Sequence, residues 1–189
     1  MNSVIQSNAG FFVVFTLTLT LLGCSSALPN RDPTGERFPT AIGESLQGET
    51  ITLPDALAGE PAVLLVGYKQ DTQFDIDRWI LGLAQVEADV RLLELPTIPG
   101  MVASMASGFI DNGMRSGIPE EDWKVVVTLY GGAAKPVANF TGTENGNNAR
   151  VLVLDAAGTV VWFSDNGYSA SKVLAVAALT EKLAAGERQ

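Results

Sequence analysis

The sequence predicts an α/β sandwich in which a mixed central sheet is flanked by helices. Two observations support this prediction: strand patterns alternate with helical patterns along the chain, and the chain closes with a β-hairpin followed by a helix. Alternating strands and helices favour parallel neighbours, whereas a hairpin adds antiparallel strands, so we expect a mixed sheet. The 189 residues are enough for one domain of ordinary size with its own core.

Two strand patterns open the folded region. Residues 49–53 alternate polar and apolar side chains, which is typical of a half-buried strand. Residues 62–66 form the continuous apolar run of a central strand. Gly48 and the sequence Gly59-Glu60-Pro61 mark turns next to these patterns.

A helix is predicted after these strands. We expect Thr72 to be its N-cap, with Asp75 completing a capping box. Apolar residues then recur at helical spacing at Ile76, Trp79 and Leu83, which indicates one buried face.

Three elements are predicted in the middle of the chain. Residues 90–96 have the pattern of a strand that ends at Pro96. Residues 101–109 are expected to form a helix that stops at Asn112-Gly113, and residues 124–130 to form another buried strand.

The last elements are a hairpin and a helix. Residues 150–164 give the hairpin, and its turn, Asp155 to Gly158, supplies the glycine that such turns need. Residues 171–184 are predicted to form a helix that buries Val173, Val176, Leu179 or Thr180, and Leu183.

Charge and composition exclude several functional classes. The formal net charge is -9, and such a surface repels phosphate backbones, so we expect no nucleic acid partner. The chain contains no histidine, which removes the usual general base, the commonest nitrogen ligand of metals and every Ser-His or Cys-His pair. We expect neither a metal nor a cofactor.

The amino-terminal region resembles the lipobox of bacterial lipoproteins. The uncharged run FFVVFTLTLTLL, residues 11–22, is shorter than the roughly 20 apolar residues of a spanning helix and is typical of a signal peptide. It leads through Leu21-Leu22-Gly23 to Cys24, the single cysteine. The resemblance implies cleavage before Cys24 and fatty acylation of that residue, although residues 1–10 lack the usual Lys or Arg. An uncleaved anchor and an ordinary signal peptide with an incidental cysteine are the alternatives.

This resemblance divides the chain into three parts. Residues 1–23 are the expected signal peptide, residues 24–37 an acylated start with a flexible tether, and residues 38–189 the folded domain. Membrane lipid would be a partner through acylated Cys24. Ser25 behind that cysteine implies the outer membrane, facing the periplasm, if the cell is Gram-negative.

The folded region resembles the thioredoxin-like superfamily, especially its peroxiredoxin-type branch. The stretch LQGETITLPDALAGEPAVLLVGY is similar to the opening of that branch, and RVLVLDAAGTVVWF is similar to its closing hairpin. Together with FPTAIGESLQG, the closing stretch is more narrowly similar to the mitochondrial ATP synthase assembly factor of this fold. The resemblance implies a three-layer thioredoxin-like sandwich and a role in protein binding or assembly.

The chain departs from the redox members of this superfamily at their reactive position. Those members carry a nucleophilic cysteine at the helix start after the first central strand, where this chain has Lys69-Gln70-Asp71-Thr72-Gln73. A threonine hydroxyl is too weakly acidic to replace a thiolate, and no histidine is present to activate it. The stretch ENGNNARVLVLD also lacks their cis-proline. We therefore expect neither disulfide exchange nor peroxide reduction.

Two groups of side chains remain as candidates for function. Asp71, Asp75 and Asp77 could form a carboxylate or cation site, but helix-start charges stabilised by the helix dipole are the favoured interpretation. The second group is a set of apolar residues that could form an adaptable partner surface, although core packing is their favoured interpretation. These are Met101, Met105, Phe109, Met114 and Trp123.

The sequence thus favours a membrane-tethered, non-redox protein that binds or assembles a partner in the bacterial cell envelope. The alternatives are an envelope enzyme that uses a carboxylate site near Asp71–Asp77, and a structural envelope protein.

Overall fold

The computed structural model describes residues 27–186, apart from the side chains of Val102 and Ala103. The strands are β1 Ala41–Ser45, β2 Thr50–Leu53, β3 Ala62–Gly67, β4 Arg91–Ile98, β5 Val127–Tyr130, β6 Arg150–Leu154 and β7 Val160–Ser164. The α-helices are α1 Gln73–Gln85, α2 Met101–Met105, α3 Ser107–Gly117, α4 Lys135–Thr141 and α5 Ala170–Ala184. The expected signal peptide, residues 1–23, and Cys24 lie outside the described residues.

The strands form one mixed sheet in the order β2-β1-β5-β4-β3-β6-β7. The three central strands β5, β4 and β3 are parallel, whereas β6 and β7 on one side and β1 and β2 on the other pair antiparallel. Every residue of β3 is buried, as its continuous apolar run predicts. The prediction of a mixed sheet is confirmed.

Apolar side chains form a separate core on each face of the sheet. On one face Phe38 meets Phe140 of α4 edge to face, with ring centroids 5.7 Å apart. On the other face the buried Trp79 of α1 lies edge-on to Trp162 and Tyr168, at 6.0 and 6.1 Å. Helix α5 adds its apolar stripe to this second core. The result is the three-layer sandwich that the sequence predicts.

Strand β1 and helix α4 are not predicted from the sequence patterns. Strand β1 has Gly43 at its centre, where a Cβ atom would lie 2.7 Å from the carbonyl oxygen of Thr128. Close approach of β1 to β5 therefore requires the glycine that obscures the strand pattern. Helix α4 has only seven residues and carries a proline near its start, so its period is too short to detect.

Strand β4 does not end at Pro96, contrary to the sequence prediction. Pro96 pairs with Gly67 at the last position of the β3–β4 ladder. Thr97 and Ile98 then continue the strand by pairing with β5 on its other side. A proline that lacks a donor is tolerated here because the ladder changes neighbour at this point.

The helix expected over residues 101–109 is instead two helices, α2 and α3, separated at Ala106. Asn112-Gly113 lies inside α3 and does not stop it. The helix ends at Gly117, because Ile118 precedes Pro119 and adopts extended backbone angles, φ -108° and ψ 131°.

The segment expected to be a flexible tether up to Arg37 is held against the domain from Leu28 onward. Leu28 and Thr143 exchange hydrogen bonds, with the Leu28 N–H donating to Oγ1 at 2.8 Å and the Thr143 N–H donating to the Leu28 carbonyl at 2.9 Å. The Gly35 N–H donates to the Val160 carbonyl at 2.8 Å. The composition predicts a flexible segment, whereas these long-range hydrogen bonds hold it in one place. Residues 24–26 lie outside the described range.

Gly142 allows this segment to pass. Its backbone angles, φ 73° and ψ 169°, lie in a region that is essentially restricted to glycine. A Cβ atom on Gly142 would lie 2.3 Å from the Pro29 carbonyl oxygen and 2.4 Å from the Asn30 Cα. Both contacts are with backbone, which cannot rotate away.

We expect Gly142→Ala to release residues 28–31 from the domain. The backbone strain alone costs about 1–3 kcal/mol, and the Pro29 clash removes the remaining way of keeping the segment in place. Limited trypsin digestion should cut after Arg31 much faster, and urea unfolding should show lower stability. Gly132→Ala is the matched control, because a Cβ atom there meets nothing within 4 Å. Unchanged cleavage in Gly142→Ala would contradict the packing described here.

Candidate functional site

The candidate site lies where the parallel strands end. The carboxyl ends of β3, β4 and β5 lie at one edge of the sheet, called the carboxyl edge below. Because β6 is antiparallel to β3, the loop of residues 142–149 reaches the same edge just before β6 begins. In open α/β sheets this edge is the usual place for ligands.

Thr72 occupies the helix start at this edge, and its hydroxyl is fully used. The side chain is completely buried, accepts a hydrogen bond from the Lys69 N–H at 3.2 Å and donates one to the Gly146 carbonyl at 2.5 Å. The predicted capping box is wrong, since within the described residues the Thr72 side chain makes no hydrogen bond to the first turn of α1. Thr72 instead joins the β3–α1 connection to the 142–149 loop.

Asp75 is equally committed to the backbone of other elements. Its carboxylate is 6% exposed and accepts hydrogen bonds from the Ala149 N–H at 3.0 Å and the Tyr168 N–H at 2.8 Å. Ala149 directly precedes β6, and Tyr168 precedes α5. Asp75 therefore ties the start of α1 to two other segments and has no geometry for proton transfer to a ligand.

Arg150 holds the 142–149 loop from inside. It is completely buried, and its guanidinium donates to the carbonyls of Asn145 at 3.2 Å, Asn148 at 2.9 Å and, through a short bond, Glu144. It also donates to Oδ1 of Asn30 at 2.8 Å. Burial lowers the pKa of Arg150 from its ordinary value. A buried cation with four oxygen acceptors fixes the loop in one conformation.

Tyr68, just after β3, supports this cation. Its ring centroid lies 5.3 Å from the guanidinium carbon of Arg150, which is the geometry of a cation–π contact. Its hydroxyl donates to the Val137 carbonyl at 3.1 Å and lies 2.7 Å from Oγ1 of Thr141. Burial raises the pKa of Tyr68 to about 12, so its hydroxyl remains protonated at neutral pH.

Next to these groups, a cavity of about 750 Å³ opens at the carboxyl edge. It is lined by Tyr68, Lys69, Pro99, Ala27 and the loop residues 143–148. The loop contributes amide, hydroxyl and carbonyl groups, and Lys69 contributes a cation beside them. Such a polar, open depression fits hydrogen bonding to a partner better than covalent chemistry.

The predicted partner surface is only partly formed. Met101, Met105 and Phe109 are 83%, 88% and 85% exposed. Met114 and Trp123, by contrast, are half-buried, and the indole N–H of Trp123 donates to the Ile118 carbonyl at 3.0 Å. These last two residues pack within the domain, so the exposed surface is smaller than the sequence suggests.

The three aspartates do not converge. Asp71 is exposed, Asp75 faces the 149 and 168 backbone, and Asp77 accepts from the side-chain amide of Gln73 at 2.9 Å. Residues 27–186 contain no group of three or more His, Cys, Asp or Glu side chains that could hold a metal ion. Asp75 is held by backbone groups outside α1, and the helix-dipole interpretation of the three charges stays a prediction.

A carboxyl group that the sequence analysis overlooks is Glu94 of β4, which is 5% exposed. Burial raises its pKa to about 7; a hydrogen bond from Gln73 opposes the shift and the charge of Asp77 adds to it. The signal was available, because a glutamate interrupts the apolar run of RLLELP. Glu94 does not line the cavity at the carboxyl edge.

Comparison with known proteins shows the fold. The pneumococcal exposed lipoprotein thioredoxin of Streptococcus pneumoniae matches with a TM-score of 0.52 at 13% identity over 75% of this chain and 99% of that one. BsSco, a member of the Sco family of cytochrome c oxidase assembly proteins, matches with a TM-score of 0.54 at 11% identity, over 82% and 98%. A thiol peroxidase from Chromobacterium violaceum matches with a TM-score of 0.53 at 12% identity, over 82% and 93%.

The chain therefore has the thioredoxin-like α/β fold, as its sequence resemblance implies. No family model matches the chain, and no curated protein sequence is significantly similar to it. Among the described residues, no helix is both long and apolar enough to cross a membrane.

We expect Asp75→Asn to destabilise the domain by about 1–3 kcal/mol, because the amide has a single acceptor oxygen and leaves the N–H of either Ala149 or Tyr168 without its partner. Asp77→Asn is the matched control on the exposed side of the same helix and should change stability by less than about 0.5 kcal/mol. Urea unfolding of both variants at pH 7 measures the difference. Equal effects would show that Asp75 does not clamp these segments.

The raised pKa of Glu94 means that ionisation of this carboxyl group lowers the stability of the folded protein. Its folded pKa of about 7 lies above the ordinary value of 4.5, so the contribution of Glu94 to stability is fully present below pH 4.5 and is lost as pH rises from there through 7. Removing the charge in Glu94→Gln should therefore stabilise the protein at pH 8 by on the order of 2–3 kcal/mol and have little effect at pH 4.5. Urea unfolding at both pH values tests this, and a pH-independent difference would contradict it.

Proposed function

We propose that this chain is a membrane-tethered, non-redox member of the thioredoxin-like proteins that binds or assembles a protein partner in the bacterial cell envelope. The tether would be acylated Cys24, and the partner would contact the cavity at the carboxyl edge. Exposed Met101, Met105 and Phe109 lie on the helices that follow β4 from that edge.

The observation that carries this proposal is which residue occupies the start of α1 after β3 and how its side chain is bonded. Redox members place a thiolate there, whereas this chain places Thr72, whose hydroxyl is buried and engaged by two backbone groups. Reactive nucleophiles need a free proton path and an adjacent base, and Thr72 has neither in this arrangement. The edge thus offers a preformed polar cavity without a reactive atom.

Three similarities support assembly work in an envelope. The chain is similar in sequence pattern to the mitochondrial ATP synthase assembly factor of this fold. Its fold matches BsSco, whose family consists of cytochrome c oxidase assembly proteins, and a pneumococcal exposed lipoprotein. The lipobox-like sequence before Cys24 adds an anchor of the same kind.

A carboxylate enzyme near Asp71–Asp77 is the less supported alternative. Asp75 is saturated by two backbone N–H groups, and Asp77 is bonded to Gln73. Glu94, the carboxyl group with a pKa near 7, is buried away from the cavity. General acid–base chemistry needs such a group within reach of a substrate.

Site-specific photocrosslinking in cells tests the binding surface. A photoreactive amino acid at Asn147, an exposed residue of the cavity rim, should give one discrete protein adduct. The matched control is Glu60, which is exposed in the loop before β3 at the opposite edge of the sheet. Identical adduct patterns from the two positions would defeat the proposed surface.

Two measurements test the remaining parts of the proposal separately. The purified protein should show no turnover with insulin disulfides or hydroperoxides, and catalytic rates would overturn the non-redox assignment. Mass spectrometry of the mature chain should find Cys24 at the amino terminus with a diacylglyceryl thioether. An unmodified chain that retains residues 1–23 would overturn the tether alone.

A further inference from the structure

The most exposed apolar side chains of the described residues lie on elements that begin at the carboxyl edge. Phe74 in the first turn of α1 is 69% exposed, and Met101, Met105 and Phe109 of α2 and α3 are 83%, 88% and 85% exposed. The next most exposed large apolar residue, Leu81, is 62% exposed. Exposed apolar groups concentrated on one side of a domain mark a contact surface.

Met101 and Met105 are four positions apart in α2, which places them on one side of that helix, and Phe109 follows in the first turn of α3. Residues 95–110 form an uncharged run of 16 residues in a chain whose formal net charge is -9. The surface around Met101 and Met105 therefore combines high exposure with the absence of charge in its own segment. This chemistry fits an apolar phase better than a charged protein partner.

The place where the chain enters the domain indicates that this apolar phase is lipid. Leu28 is hydrogen-bonded to Thr143 at the carboxyl edge, and Ala27 lines the same cavity as Pro99, two residues before Met101. Three residues, 25–27, separate Cys24 from Leu28, so the four Cα–Cα steps between them span at most about 14 Å when fully extended. An acylated Cys24 would thus hold the carboxyl edge within this distance of the lipid headgroups.

We propose that the surface formed by Phe74, Met101, Met105 and Phe109 docks into the interface of the lipid bilayer. This inference rests on the proposed acylation of Cys24. The short link keeps the surface at high effective concentration next to the membrane, so each insertion is an intramolecular event. Burial of exposed methionine and phenylalanine side chains in the headgroup boundary then orients the domain.

The domain is therefore bound at two places, the acyl chains and the apolar side chains. In this orientation the cavity at the carboxyl edge opens toward the membrane surface. Its partner would approach from within the membrane plane, and the edge that contains Glu60 would face away from the lipid.

Fluorescence quenching on the full acylated chain tests this orientation. Acylation consumes the thiol of the single cysteine, so Met105→Cys and Glu60→Cys each provide one site for an environment-sensitive fluorophore. Both chains are reconstituted into phosphatidylcholine vesicles. Nitroxide attached to lipid should quench the label at 105 severalfold more than the label at 60, and aqueous iodide should show the opposite order.

A second variant separates docking from anchoring. Met101→Asp changes a residue that is 83% exposed, so the fold should tolerate it. With this change the label at 105 should lose its quenching by lipid while the protein stays on the vesicles through Cys24. Quenching that is unchanged by Met101→Asp would overturn the proposal.

Other outcomes overturn the two proposals separately. Equal quenching at 105 and 60, with the protein firmly anchored, would overturn lipid docking and leave the tether intact. Protection of the label at 105 in native membranes but not in pure lipid vesicles would assign the surface to a protein partner instead. Labelling of the unsubstituted chain would show that Cys24 is a free thiol and would overturn the tether, and lipid docking with it.

Discussion

The buried guanidinium of Arg150 is the interaction on which the carboxyl edge depends. A charge in the interior is tolerated only when hydrogen-bond partners replace water, and Arg150 finds them in three carbonyls of its own loop and in Asn30. The ring of Tyr68 covers it from the side of β3. The Arg150 side chain thus joins the chain entry at Asn30, the 142–149 loop, its own strand β6 and the end of β3. The loop that borders the cavity has its backbone oriented by this cation.

Thr72 and Asp75 complete the same arrangement from the opposite side of the loop. Thr72 donates to the Gly146 carbonyl and Asp75 accepts from the Ala149 N–H, so the middle and the last residue of the loop are attached to the start of α1. In a redox protein this helix start activates a thiol; here its polar groups stabilise the backbone. The hydrogen bonds that fix the loop also occupy the Thr72 hydroxyl and the Asp75 carboxylate.

The position of the chain entry places the cavity next to the segment that follows the expected anchor. Leu28 joins the domain at the carboxyl edge, and Ala27 lines the cavity there. Gly142 makes this possible, since any larger residue would meet the backbone of Pro29. A binding factor that is held this close to a bilayer would sample partners in the membrane plane and few in solution. The geometry therefore restricts the proposed partner more strongly than the cavity alone does.

Hydrophobic periodicity determined most of the fold. The continuous run of β3, the hairpin of β6 and β7 and the stripe of α5 follow from local patterns, because each pattern is set by burial on one or two faces. Strand β1 and helix α4 do not follow, since a glycine required by a neighbouring strand and a seven-residue length leave no periodic signal.

The lack of a cysteine at the helix start and of histidine throughout is likewise a property of the sequence. Only the tertiary structure decided the roles of Thr72 and Asp75. Their partners Gly146, Ala149 and Tyr168 are more than 70 residues away along the chain. The same applies to Leu28. The composition of residues 24–37 predicts a flexible tether, but the fold brings Thr143 beside Leu28 and the two residues are hydrogen-bonded. Local pattern records which side chains are buried, whereas the partner of a buried polar group is set by chain topology.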